Sequence, residues 1–170
     1  LGDLQGPKLR IGDFEKSFIK LKKNQKFTLD LNPKLGDEKR VQLPHPEIFK
    51  SVKRNSQILI DDGKIILNVT KVFTDKIITE VVNGEKISNK KGVNVPKTFI
   101  KLSSLTKKDL HDLELCLSLG LDYVALSFVQ KAQDLVYLKK LVGEQTGIMA
   151  KFEKPLAIKR MDEILKHCDA

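Results

Sequence analysis

The sequence has no tryptophan, only two cysteines and no long apolar run. Cys116 and Cys168 stand in apolar helical patterns and form neither a disulfide framework nor a metal-binding spacing, so we expect buried, reduced thiols. Such thiols fit a cytoplasmic location. A membrane span needs roughly 20 consecutive apolar residues, and no such run occurs. The sequence also lacks an initiator methionine and a readable signal peptide, so we expect its first residue to be internal to a longer protein.

Acidic residues are outnumbered: 31 Lys and Arg against 22 Asp and Glu give a net charge of +9. A basic surface can attract phosphate groups, nucleic acid or anionic lipid. The lysines are scattered, with one dense cluster at Lys20, Lys22, Lys23 and Lys26. Because no RNA-binding motif accompanies this cluster, a solvated face is the simpler interpretation. A basic β-domain that binds nucleic acid is the alternative.

Between about residues 11 and 96, short β-rich runs alternate with turn residues. Two apolar runs, at 58–60 and 65–67, flank Asp61-Asp62-Gly63. An Asp-Gly pair in this setting is a strong hairpin signal. Further turns are predicted within 73–78 and at Asn83-Gly84. The segment therefore predicts a small β-barrel or sandwich.

After about residue 103 the apolar period changes from two to 3.6 residues, which predicts helices alternating with short buried strands. Ser103 or Ser104 is the expected N-cap of the first helix, and Gly120 is its expected end. The remaining predicted elements are a strand at 123–128, a helix at 131–142, a strand at 148–152 and a helix at 155–166. The predicted inward stripes of the three helices are Leu110, Leu113 and Leu117; Leu135, Leu138 and Val142; and Ile158, Met161 and Leu165.

This alternation is typical of parallel βαβ units in an α/β fold. Residues 1–4 can add one strand, which makes the β-rich segment an insertion in a βα loop. A (β/α)₈ TIM barrel needs about 250 residues, so we predict a partial barrel with three of its eight strands and an inserted small β-barrel. The predicted domains are residues 1–10 for the first barrel strand and linker, 11–95 for the insertion and 96–170 for the partial barrel.

Polar residues follow each predicted barrel strand at its carboxyl end, where such barrels carry their chemistry. They form three groups, at 3–10, 127–131 and 151–155. Lys151 and Glu153 are two residues apart on a predicted strand, so both should point into the barrel mouth. Burying a lysine and a carboxylate costs free energy unless the two charges are paired or take part in the protein's function. A structural salt bridge is the alternative interpretation.

Five segments resemble the pyruvate kinase family, in the same order and at the same spacing across essentially the whole chain. Asp3-Leu4-Gln5-Gly6-Pro7-Lys8-Leu9-Arg10 is similar to the family's passage from the third barrel strand into an inserted lid. Ile60-Asp61-Asp62-Gly63 resembles the lid's own signature, and Lys91-Gly92-Val93-Asn94-Val95-Pro96 resembles its return to the barrel. Ser127-Phe128-Val129 and Ala150-Lys151-Phe152-Glu153 resemble the next two strand ends.

The resemblance implies phosphoryl transfer from phosphoenolpyruvate to ADP, giving pyruvate and ATP in glycolysis. The family's lysine at the position of Lys151 faces the phosphoryl group during its transfer and can neutralise the negative charge on its oxygens. Glu153 corresponds to a carboxylate ligand of Mg²⁺ or Mn²⁺. Arg10 matches an arginine near the phosphoryl site, where a planar guanidinium can bind phosphate. Asp62 and Lys91 match lid residues on the nucleotide side.

The resemblance also concerns K⁺, which many family members need in the region matched by Asp3, Lys8 and Ser127. Those members usually carry Thr-Lys at the position of Leu4-Gln5, and Glu at the position of Lys8. Members that work without K⁺ resemble this chain. A tethered ammonium at Lys8 can replace the ion, so K⁺ independence is predicted. A surface lysine without an ionic role is the alternative.

The chain departs from the family pattern at Phe152, where Ile is usual, and at Gln130, where Arg is frequent. The family's second metal-binding aspartate is expected beyond residue 170. We therefore expect a fragment that is inactive alone, cut from a homotetrameric parent that binds phosphoenolpyruvate and ADP, but neither nucleic acid nor membrane. A different phosphate-handling barrel with the same insertion would have to match residues 3–10 by chance.

Overall fold

The chain divides into two compact units. The computed structural model describes residues 1–170, apart from the side chain of residue 156. One unit, here called the β unit, comprises Lys8–Lys101. The other, here called the α/β unit, comprises Leu1–Pro7 together with Leu102–Ala170.

The elements are numbered in chain order. The strands are β1 (Gly2–Leu4), β2 (Phe18–Lys20), β3 (Lys26–Asp30), β4 (Arg40–Gln42), β5 (Gln57–Ile60), β6 (Ile65–Val72), β7 (Lys76–Asn83), β8 (Lys86–Ser88), β9 (Val93–Asn94), β10 (Tyr123–Leu126) and β11 (Gly147–Ala150). The helices are α1 (Pro46–Ser51), α2 (Lys107–Ser118), α3 (Ala132–Val142), α4 (Pro155–Ile158) and α5 (Met161–Leu165).

The β unit is built on a six-stranded sheet in the order β4-β3-β7-β6-β5-β9, with β2 and β8 forming a separate antiparallel ribbon. Alternate residues of the central strands are buried, which gives the sheet one apolar face. Phe27, in β3, is the largest fully buried side chain of this core. Burial of each such side chain contributes about 1.5–3 kcal/mol.

The predicted hairpin at Asp61-Asp62-Gly63 is confirmed. Strands β5 and β6 pair in antiparallel fashion up to the Ile60–Ile65 pair, next to the turn. All three turn residues have positive φ, at 54°, 55° and 87°. Asp tolerates this left-handed region better than most residues, and glycine has no Cβ to oppose it. These conformational preferences explain why Asp61-Asp62-Gly63 predicted a hairpin at this position.

The α/β unit contains a three-stranded parallel sheet in the order β1-β10-β11. The prediction that residues 1–4 join the later strands is therefore confirmed. Helices α2 and α3 follow the predicted 3.6-residue period, and Leu113, Leu135 and Leu138 are buried on the sheet side. Leu110 and Leu117 pack against the same core but are only partly buried.

Two predictions about helices were wrong. The N-cap of α2 is Thr106, whose hydroxyl accepts from the Asp109 N–H, and not Ser103 or Ser104. The predicted helix at 155–166 is two short helices separated by a turn at Lys159 and Arg160. The residues expected to point inward, Ile158, Met161 and Leu165, are exposed, while Ala157 and Ile164 are buried.

The two cysteines are free thiols, as expected, and pack against the core, but they are only partly buried where buried thiols were expected. Cys116 lies beside β1, where a Cβ added to Gly2 would approach its sulfur to 2.5 Å. Burial raises the pKa of the Cys168 thiol, and the negative charge of the Asp169 carboxylate acts in the same direction. None of the helices in the described part of the chain has the length and apolar character needed to cross a bilayer.

Candidate active site

Three polar side chains meet around the ammonium group of Lys151 in the α/β unit. Lys151 Nζ donates to both carboxylate oxygens of Asp3, at 3.1 Å and 3.0 Å, and to Ser127 Oγ at 3.2 Å. Its distance to Glu153 Oε1 is 3.6 Å. We call Asp3, Ser127, Lys151 and Glu153 the lysine cluster. The structure therefore brings together four of the eight site residues predicted from the sequence.

Strand pairing explains why residues so distant in sequence converge. β1 and β11 flank β10 in parallel, with Leu126 opposite both Leu4 and Ala150. Ser127 and Lys151 are therefore the first residues beyond neighbouring strand ends. Asp3 is the exposed residue between the two buried residues of β1, so the pleat directs its side chain away from the helix-covered face.

The surrounding carboxylates stabilise the charged form of Lys151. The hydrogen bond to Asp3 contributes most, burial opposes it, and attraction to Glu153 adds to it, so the pKa of Lys151 lies above its ordinary value of 10.5. Lys151 is therefore an ammonium at neutral pH. A positive charge held in place by several acceptors can stabilise negative charge on an incoming group without further reorganisation.

Glu153 is held by the backbone as well as by Lys151. The Phe128 N–H donates to Glu153 Oε2 at 2.9 Å. Phe128 has a φ of 57°, a left-handed conformation that is uncommon for a residue other than glycine. The prediction that Lys151 and Glu153 share one strand was wrong, because β11 ends at Ala150. Their proximity instead arises in the loop after the strand.

A second lysine, which the sequence pattern did not indicate, lies beside Glu153. Lys154 is only 7% exposed, and its Nζ lies 6.0 Å from the centroid of the Phe128 ring. Burial lowers the pKa of Lys154, while attraction from Asp134 and Glu153 opposes that change. In a chain with 31 basic residues, sequence alone gives no signal that sets this lysine apart.

The other four predicted site residues, Lys8, Arg10, Asp62 and Lys91, belong to the β unit. Arg10 is fixed at two points: its Nη1 donates to the Lys90 carbonyl at 2.7 Å, and its backbone N–H donates to His45 Nε2 at 3.0 Å. Burial lowers the pKa of His45, which keeps this acceptor nitrogen unprotonated at neutral pH. Lys8 is exposed.

Lys91 forms an ion pair with Asp61, at 3.1 Å from Nζ to Oδ1. The hydrogen bond from Lys91 is the main reason why the pKa of Asp61 lies below its ordinary value of 3.8. The sequence prediction named the neighbouring Asp62. Both aspartates stand in the same Asp-Asp-Gly turn, but Asp61 also pairs with Lys64, at 3.4 Å from Nζ to Oδ2, and is less exposed than Asp62.

The donor set of the lysine cluster suits a hard divalent cation held in part by the protein. Mg²⁺ is commonly bound by one or two carboxylates, with water and substrate oxygens completing its octahedron. Glu153 supplies a carboxylate of this kind, whereas both oxygens of Asp3 accept from Lys151. Among the described residues, no group of three or more His, Cys, Asp or Glu side chains is placed to hold a metal ion. A cation bound by Glu153 would therefore need water and substrate oxygens to complete its coordination.

Comparison with known proteins extends over the whole chain. The family model described as "Pyruvate kinase, barrel domain" matches residues 1–170. Proteins named pyruvate kinase from Methylorubrum extorquens, Agrobacterium vitis and Thermotoga maritima are 46%, 42% and 36% identical to it, over 99%, 100% and 98% of this chain. The chain spans only 35% of the first of these relatives and 36% of the other two.

The match to a barrel domain agrees with the parallel sheet of the α/β unit and confirms the predicted partial α/β barrel. It also confirms the family that the five sequence segments indicated. The chain belongs to the pyruvate kinase family.

Proposed function

We propose that this chain forms part of an enzyme that transfers the phosphoryl group of phosphoenolpyruvate to ADP, giving pyruvate and ATP. The observation that carries the proposal is the convergence of Asp3, Ser127 and Glu153 on the Lys151 ammonium. Phosphoryl transfer depends mainly on positioning and on stabilising charge on the transferred oxygens. A lysine fixed by several acceptors in a partly exposed site suits that task.

Each residue of the lysine cluster has a proposed role. Lys151 binds and neutralises the phosphoryl oxygens, and Asp3 and Ser127 hold its ammonium in place before substrate arrives. Glu153 is the carboxylate that holds the divalent cation, Mg²⁺ or Mn²⁺, in an orientation set by the Phe128 N–H. When bound, the cation supplies further neutralisation of phosphate charge.

The β unit, Lys8–Lys101, is proposed to act as a lid that contributes to nucleotide binding. It contains the predicted insertion at 11–95 and has its own apolar core, as a moving body requires. Arg10 is rigidly tethered at its guanidinium and its backbone, which suits bidentate contact with phosphate. The Lys91–Asp61 pair places a second cation on the turn that carries Asp62.

The test is direct conversion by the full-length protein. Phosphoenolpyruvate, ADP and Mg²⁺ should give pyruvate and ATP in equal amounts, followed by ³¹P NMR. Omission of the divalent cation should abolish the reaction. If purified, folded protein gives no ATP from phosphoenolpyruvate with either Mg²⁺ or Mn²⁺, the proposal is wrong.

K⁺ independence is proposed on the basis of Lys8, whose tethered ammonium takes the place of the ion. Activity with and without K⁺ at constant ionic strength should then differ by less than tenfold, which corresponds to about 1.4 kcal/mol. Lys8→Glu should create a K⁺ requirement, whereas Lys16→Glu, an exposed lysine of the same unit, should not. An unmodified protein that needs K⁺ for activity would contradict the role of Lys8.

A further inference from the structure

A buried carboxylate outside the lysine cluster links two segments that are far apart in sequence. Asp109, at the start of α2, is fully buried. Its Oδ2 accepts from the Thr106 N–H at 2.8 Å and from the Thr106 hydroxyl at 2.6 Å. Its Oδ1 accepts from the Gly6 N–H at 3.0 Å, across 103 residues of sequence. A single carboxylate therefore satisfies three donors.

Helix capping explains only one of the two carboxylate oxygens. Asp134 is the corresponding residue of α3, three residues after the N-cap Lys131, and is mostly buried. Asp134 accepts from the Gln130 and Lys131 N–H groups, within four residues of itself. Asp109 makes the same kind of local contact through Oδ2, but its second oxygen reaches Gly6. The long-range contact is thus additional to capping.

Gly6 in turn lies directly on the loop that holds the lysine cluster. Its φ is +66°, and an added Cβ would lie 3.0 Å from the Phe128 side chain and 3.3 Å from Ser127. Ser127 accepts from Lys151, and the Phe128 N–H holds Glu153. Contacts therefore run from Asp109 through Gly6 to the Ser127–Phe128 loop, and from there to both charged residues of the cluster.

We propose that Asp109 is a positioning residue for the phosphoryl transfer assigned above, and this inference rests on that proposed function. By holding Gly6 against the Ser127–Phe128 loop, Asp109 keeps Ser127 Oγ and the Phe128 N–H aimed at Lys151 and Glu153. Without the carboxylate, the buried Gly6 N–H has no acceptor, which favours displacement of the Gly6 turn. Asp109 itself touches no group of the lysine cluster.

The experiment compares Asp109→Ala with Thr106→Ala in the full-length protein. Both changes remove a capping side chain from α2, but only the first removes the contact between Asp109 Oδ1 and Gly6. Asp109→Asn is the conservative third variant. It retains the side-chain size, so it provides the test if the alanine variant fails to fold. Its single amide oxygen cannot accept from both Gly6 and Thr106. Two quantities are measured: kcat with KM for phosphoenolpyruvate, and hydrogen exchange of the peptide covering residues 4–8.

Asp109→Ala should lower kcat at least tenfold and speed amide exchange in residues 4–8, with Asp109→Asn intermediate. Thr106→Ala should change kcat less than twofold and leave that exchange unchanged. Equal loss of kcat in the two alanine variants, or unchanged exchange at residues 4–8 in the Asp109 variants, would overturn the inference. An unmodified protein without activity would refute the proposed function instead, and exchange would still show whether Asp109 anchors Gly6.

Discussion

The pairing of Asp3 with Lys151 should be worth little to folding, despite its short contacts. The side chain of Asp3 is 58% exposed and that of Lys151 is 33% exposed, so water screens the attraction. Exposed pairs of this type contribute about 0.2–1 kcal/mol. Because Lys151 reaches both oxygens of Asp3, we expect the upper part of that range, about 0.5–1 kcal/mol. The lysine cluster therefore fixes the positions of its charged groups but adds little to the free energy of unfolding.

A double-mutant cycle measures this coupling directly. The variants are Asp3→Asn, Lys151→Met and the two combined, each unfolded by denaturant and followed by circular dichroism. Lys108 and Asp112, an ion pair within α2, provide a control cycle on a solvated face. The control coupling should be smaller, since Lys108 reaches only one oxygen of Asp112 and its side chain is 64% exposed.

The coupling should also depend on pH in one direction. The folded-state pKa of Lys151 is raised, so the stabilisation is complete below its ordinary value of 10.5, which applies to the unfolded chain. It is lost as pH rises through the higher folded value, when the ammonium loses its proton. A coupling above about 2 kcal/mol, outside the range for exposed pairs, or one that persists unchanged in strong alkali, would refute this reasoning.

Two further substitutions test other parts of the structure. Gly6→Ala should destabilise by at least about 1 kcal/mol more than Gly63→Ala in denaturant unfolding. Both glycines have positive φ, but only at Gly6 would the new Cβ meet a neighbour, the Phe128 side chain at 3.0 Å. His45→Gln should weaken the acid sensitivity of the protein, because glutamine can accept from the Arg10 N–H without titrating. The folded pKa of His45 is lowered, so stability present above its ordinary value of 6.5 is lost as pH falls through the folded value. Equal denaturant midpoints of wild type and variant from pH 7 to pH 5 would contradict this role of His45.

The sequence predicted the features that depend on local chemistry and on strand order. The Asp61-Asp62-Gly63 hairpin follows from residues that tolerate left-handed φ, and the parallel sheet follows from short apolar runs alternating with helices. Once strands are parallel, the residues after them must meet at one edge of the sheet. The alternation of strands and helices is therefore enough to predict that Ser127 and Lys151 are neighbours.

The features that the sequence did not predict depend on competition between similar signals or on distant contacts. Three hydroxyl residues could have capped α2, and Thr106 prevails because Asp109 stands three residues later and completes a capping box. The hydrogen bond from Gly6 to Asp109 joins residues 103 apart, which no local pattern can reveal.

The break between α4 and α5 illustrates a further limit of periodicity. Arg160 leaves the helical region, with φ −115° and ψ 18°, so the chain forms two short helices in place of one. The stripe of Ile158, Met161 and Leu165 is exposed, and the buried residues are Ala157 and Ile164. The spacing of apolar residues alone did not indicate which of these faces is buried.

The proposal that Lys151 and Glu153 do different work in one phosphoryl-transfer site can be tested by a single measurement. Activity of the full-length protein is titrated with Mn²⁺ for wild type, Glu153→Gln and Lys151→Met. Glu153→Gln should raise the Mn²⁺ concentration at half-maximal activity at least tenfold. Lys151→Met should leave that concentration nearly unchanged and lower kcat about 100-fold, the scale expected for loss of one charge-stabilising group. If both variants retain wild-type kcat and metal dependence, the lysine cluster is not the active site.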